Sequence, residues 1–95
     1  METNKYVLKK PIEFDGETIT EIVLDFDSLE SDDILSAERQ FKAENKEFVP
    51  VLEIAKGYLA HVAARSAKKP VEFIRSLNAK DFSTVTMMAQ NFLLG

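Results

Sequence analysis

Apolar positions along the chain fall into two regimes with a clean change between them. Residues 49–66 carry the clearest helical period. Val51, Leu52, Ala55, Tyr58, Leu59, Val62 and Ala63 recur at three- and four-residue steps, while Glu53, Lys56 and Arg65 fall elsewhere. A helix with one broad apolar stripe must bury it, so the neighbouring segments are expected to pack there. Before it, the pattern is that of strands. Tyr6 to Lys10 reads as a strand that Pro11 and Ile12 continue only as an edge, because proline cannot donate to a ladder. Phe14-Asp15-Gly16-Glu17 reads as a tight hairpin turn. Thr18 to Phe26 returns, with Ile22, Leu24 and Phe26 alternating on one face. Ile19 is out of that phase, which predicts a bulge or twist near Thr20-Glu21. A lone hairpin is marginal in water, so this one must lie on the helices or pair with another chain.

The remaining pattern predicts three more helices. Asp27 to Ser31 is a connector, with Ser31 or Asp32 capping a helix to about Asn45. That helix has a weaker stripe of Ile34, Leu35, Ala37, Glu38 and Phe41. A break at Asn45 to Phe48 leads to Pro50 in the first turn of the central helix. Lys68-Lys69 suit that helix's negative end. Pro70 opens a short helix to about Leu77, with Phe73, Ile74 and Leu77 inward. Asn78 caps the last helix, residues 79–94, with Asp81 three residues on in a capping-box-like pattern. Phe82, Val85, Ala89, Phe92 and Leu93 form its core stripe, and Gly95 ends it. The expected fold is α+β and mostly helical: a hairpin over about residues 5–26, then four helices packed around the one at about 50–66, in a single domain of residues 1–95.

Composition narrows the function classes. At 95 residues, 45% hydrophobic and 29% charged, the chain reads as one ordinary folded domain. It has no cysteine, which removes disulfides and thiolate metal sites. No apolar run reaches membrane-span length, and METNKYVLKK lacks the apolar core of a secretory signal. Charge is unevenly spread: ten acidic residues and no Lys or Arg between Glu13 and Glu38, then nine basic and four acidic between Arg39 and Lys80. Helix-end preferences account for much of this. The net charge of −4 argues against a nucleic-acid binder.

Candidate chemistry is sparse. His61 is the only histidine. It is read as a surface or boundary residue near Tyr58 and Arg65, without partners for a triad or a zinc site. Asp25, Asp27, Asp32 and Asp33 do not match a calcium loop, because Leu29, Glu30 and Ser36 stand where that loop needs an oxygen ligand, glycine and glutamate. Gly16, Gly57 and Gly95 form no phosphate loop, and Ser66 and Ser76 have no nucleophile-elbow context. The expectation is a protein that is not an enzyme and takes no cofactor, metal or small-molecule substrate. Methionine adapts to irregular partners, so Met87, Met88 and Leu94 on the last helix are the candidate partner-binding residues.

Two segments together carry a resemblance. The first is LKKPIEFDGETITEIVL, Leu8 to Leu24. The second is SLNAKDFSTVTMMAQNFLL, Ser76 to Leu94, with Asp81-Phe82 after Leu77 and Phe92-Leu93 at the end. In this order and distance, with an acidic connector and helices between, the chain resembles the tail assembly chaperone proteins of long-tailed bacteriophages and prophages, the Mu-like group. The resemblance implies a non-enzymatic factor that binds the tape measure protein and recruits tail tube subunits during tail morphogenesis. It would act in the cytoplasm of the bacterial host and be absent from the mature virion. Members of the family are often made also as a longer frameshifted product. Self-association through the hairpin edge is a further expectation. The alternatives are a structural phage tail component, expected to be β-rich, and a small acidic regulatory protein.

Overall fold

The computed structural model describes residues 5–45 and 51–95. Strand β1 (Lys5–Phe14) and strand β2 (Glu17–Val23) form an antiparallel hairpin. Helices α1 (Ser31–Glu44), α2 (Lys56–Ala67), α3 (Val71–Arg75) and α4 (Ala79–Leu94) follow. Of the described residues, 61% are helical and 20% are in strands, so the α+β, mostly helical architecture is as the periodicity predicts.

The hairpin closes through Asp15 (φ 56°) and Gly16 (φ 83°), both in the left-handed region, with Phe14 facing Glu17. Asp-Gly is the pair that adopts those angles at low cost, and they match the natural strand twist. Ile22, Leu24 and Phe26 are all buried, but β2 ends at Val23, short of the expected Phe26, which instead opens a 3-10 turn, Phe26–Ser28. The predicted irregularity exists, but its extra residues lie in β1. Val7 pairs with Glu21 and Ile12 with Ile19, so Leu8 to Pro11 together face Thr20 alone. Pro11 has no N–H to give, and the amides of Lys9 and Lys10 are directed elsewhere, as described below.

α2 is the centre, and it is covered all round. Every residue from Tyr58 to Ala64 is buried, which one apolar stripe does not require. The reason is that α1, α3 and α4 all pack against it, while α1 and α4 make little contact with one another. Small residues make this possible. A Cβ on Gly57 would stand 2.5 Å from Cε1 of Phe41, so the glycine lets α1 approach closely.

Several boundaries differ from the sequence reading. The central helix does not begin at residue 50. Leu52–Ile54 form a separate 3-10 turn, Ala55 is extended (φ −91°, ψ 114°), and α2 starts at Lys56. Val51 is consequently exposed. Pro50, and the expected break beyond Asn45, lie outside the described residues. The cap of α1 is Glu30, one residue before Ser31. Its backbone N–H donates to Asp33 Oδ2 at 2.9 Å, so the acid that completes the first turn is Asp33. α2 ends in a left-handed residue, Lys68 (φ 57°, ψ 42°), and the Lys69 amide returns to the Ala64 carbonyl at 3.0 Å. That is a Schellman closure made without glycine. α3 stops at Arg75, although Leu77 is still buried.

Candidate functional site

Among the described residues, Asp81 is the most densely bonded side chain. It sits in the first turn of α4, entirely buried, on the same face as Val85 and Ala89. Its carboxylate accepts the Tyr6 hydroxyl at 2.6 Å, the Lys9 amide at 3.0 Å, the Lys10 amide at 3.1 Å and the Asn78 side-chain amide. Asn78 itself caps α4, its Oδ1 accepting from the amides of Lys80 and Asp81 at 3.0 and 3.2 Å. The expected capping-box role of Asp81 is thus replaced by a long-range one. It supplies the acceptors that the irregular stretch of β1 would otherwise lack, because four residues facing one leave ladder donors without partners. Burial pushes the Asp81 carboxyl upward, but the donors outweigh it and hold it at about 2. The Tyr6 hydroxyl is raised by burial and by the carboxylate it bonds.

A second polar group joins α1, α2 and α3. Glu44 Oε1 accepts from the Arg75 guanidinium and stands 2.9 Å from His61 Nε2. His61 is buried, contrary to the boundary position expected of it, because the C-terminal turn of α1 closes over it. The hydrogen bonds from His61 and Arg75 hold the Glu44 carboxyl below its usual range. Arg65 Nε pairs with Asp33 Oδ1 at 3.1 Å, a second tie between α1 and α2. A cavity of about 420 Å³ opens beside these groups, lined by Gln40, Glu44, His61, Arg65, Lys69 and Glu72 among others. Its cations and carboxylates balance, and His61 already has a partner. Replacing Glu44 with alanine strips His61 and Arg75 of their acceptor and is expected to destabilise the fold by about 1–2 kcal/mol at neutral pH. Because the folded-state carboxyl is depressed, the loss shrinks as pH falls below the usual carboxylate range. Urea unfolding of both proteins across that range measures it.

The three candidate partner-binding residues separate. Met87 and Leu94 lie seven residues apart on the outward face of α4 and are 58% and 60% exposed. Met88 is half-buried against the core. With Phe26, Asp27, Asn91 and Phe92 it lines a shallow open channel of about 350 Å³. Phe92, expected in the core, is 38% exposed and stacks on Phe26 with ring centroids 5.3 Å apart. Val7 and Val23 are exposed on the outer face of the hairpin.

Sequence reasoning missed the roles of Asp81 and Glu44. One signal was present: Asp81 occupies the same helical stripe as Val85 and Ala89, and a charge on an apolar stripe requires donors from elsewhere. Likewise His61 interrupts the apolar run from Tyr58 to Ala64. Among the described residues no group of three or more His, Asp or Glu side chains is placed to hold a metal ion, and no helix is long and apolar enough to cross a membrane. No protein-family model matches the chain, and no curated protein and no solved structure matches it.

Proposed function

We propose that this chain is a tail assembly chaperone of a long-tailed bacteriophage or prophage. In this reading it is a non-enzymatic adaptor that holds the tape measure protein in soluble form and brings tail tube subunits to it. It works in the cytoplasm of the bacterial host and is not retained in the finished virion. The observation that supports the reading is the Asp81 junction. The resemblance rests on two segments far apart in sequence, Leu8–Leu24 and Ser76–Leu94. The carboxylate of the second accepts the Lys9 and Lys10 amides of the first. Segments that hold one another in this way form one surface, and their order and spacing then have a physical reason.

The working surface we assign is the channel of Phe26, Met88 and Phe92. It is open and bordered by α4, with Phe26, Met88 and Phe92 beside the polar Asp27 and Asn91, so an amphipathic helix from the tape measure protein can lay its apolar face there. The hairpin carries the second contact. It is a two-stranded sheet, and a β-rich tube subunit can add a strand to its edge. Helix predominates over strand, which disfavours a β-rich structural tail component.

Co-expression with helical fragments of a tape measure protein encoded beside this chain tests the proposal. The expected result is a soluble complex, with Met88→Ala weakening it about tenfold, as loss of a central apolar anchor does. Fragments that aggregate equally with and without this chain would refute it.

A further inference from the structure

Phe26, Met88 and Phe92 give the channel its apolar part, and the charge beside them has one sign. Asp27 lines the channel and is exposed. Glu30 and Asp32 follow a few residues on, exposed and without an ion pair among the described residues. No Lys or Arg occurs from Phe14 to Glu38. The other wall is α4, where Lys80 is the only basic residue. It stands about 16 Å from Asn91 along the helix axis.

The C-terminal end of α4 adds to this charge. Helices α1, α2 and α3 each carry a basic residue in the last turn, Lys42, Arg65 and Arg75. α4 carries none. Its last carbonyls leave partial negative charge at that end, and Asn91 and Phe92 there line the channel. In the cavity beside Glu44 and His61, cations answer the carboxylates. Here nothing on the chain does so. An apolar segment laid over Asp27 without a cation of its own would strip the carboxylate of water and give nothing back.

We propose that the occupant of this channel is a basic amphipathic helix. Its apolar side chains, at three- and four-residue spacing, lie on Phe26, Met88 and Phe92. Its Lys or Arg side chains, about one turn away, stand over Asp27 and the end of α4. The same negative rim repels phosphate, so nucleic acids and anionic membranes do not fit it. Exposed charge pairs of this kind add little affinity each. They speed encounter and exclude partners of the wrong charge. The inference rests on the channel being the working surface, and adds the charge of what binds there.

Two helical peptides with the same leucine face test it, one with lysines flanking that face and one with glutamates. Each is titrated into the full isotope-labelled chain, with NMR and fluorescence anisotropy as readouts at low and high salt. The lysine peptide should shift the amide resonances of Phe26, Met88 and Phe92, and weaken about tenfold as salt is raised. The glutamate peptide should bind at least about tenfold more weakly. Asp27→Lys should abolish or reverse that preference. Glu17→Lys, the same change of charge on the hairpin turn, should leave it intact. Both positions are exposed, so neither variant threatens the fold. Equal binding of the two peptides, binding of neither, or equal effects of the two variants would overturn the proposal. Tape measure fragments run alongside separate it from the functional reading. Fragments held in the channel whatever the salt, and equally by Asp27→Lys, would sink the inference and keep that reading. A bound lysine peptide beside fragments that still aggregate would do the reverse.

Discussion

Replacing Asp81 with alanine is expected to cost about 3–5 kcal/mol of folding stability, because several donors lose one shared acceptor at once. The size follows from what is left behind. The Lys9 and Lys10 amides and the Tyr6 hydroxyl each lose their acceptor, while no donor gains another. An orphaned buried donor costs about 1–3 kcal/mol. Conservative replacement does not rescue the site. An asparagine has one oxygen where four donors converge, and its own amide would face donors. Tyr6→Phe removes only one of these bonds and should cost about 1 kcal/mol. Urea unfolding of the three variants ranks them. A loss from Asp81→Ala no larger than that from Tyr6→Phe would mean that the carboxylate does not hold the hairpin.

The same junction sets an acid limit. With the folded-state carboxyl at about 2 and an unfolded value near 3.9, the contribution is fully present above about pH 4. It amounts to about 2.5 kcal/mol, and it is lost as pH falls from there through about 2. The sign is that of a depressed acid: protonation favours the unfolded chain.

Phe73→Ala is the second large effect, about 3–5 kcal/mol. Phe73 is 1% exposed. Its ring packs at right angles to that of Phe14, 5.1 Å between centroids, and Lys69 Nζ stands 5.6 Å from its centre. It therefore joins α3, the loop after α2 and the turn end of the hairpin, none of which can close the cavity without shifting the others. Phe92→Ala, at a ring 38% exposed, should cost less than half as much. Domains of this kind have about 5–15 kcal/mol in total, so Phe73→Ala should lower the thermal midpoint by many degrees. Equal losses at the two positions would contradict the packing described.

How much of this was legible in the residues depends on how local each signal is. The hairpin turn was, because Asp15-Gly16 specifies its own backbone angles. So was the cap at Asn78, whose oxygen reaches amides two and three residues away. The start of α2 was not, since Leu52, Ala55 and Leu59 satisfy a helical period whether or not the backbone breaks at Ala55. The displacement of the bulge into β1 was not legible either. Its cause, Asp81, lies more than seventy residues away in sequence, and no local rule links the two. His61 was misplaced for the same reason: only the fold brings Glu44 over it. The sequence groups Met87, Met88 and Leu94 as candidate partner residues, but Met87 and Met88, one residue apart, point to different surfaces, which only packing of α4 on α2 decides.

The central claim is that one carboxylate makes the irregular strand and the last helix a single unit, on which the proposed partner surfaces are mounted. The most direct measurement is an acid titration of the amide resonances of Lys9 and Lys10 by NMR. Both should move together with an apparent midpoint near 2, that of Asp81, and the movement should vanish in Asp81→Asn. Amides that do not respond, or that titrate separately near the ordinary carboxylate value, would contradict the account.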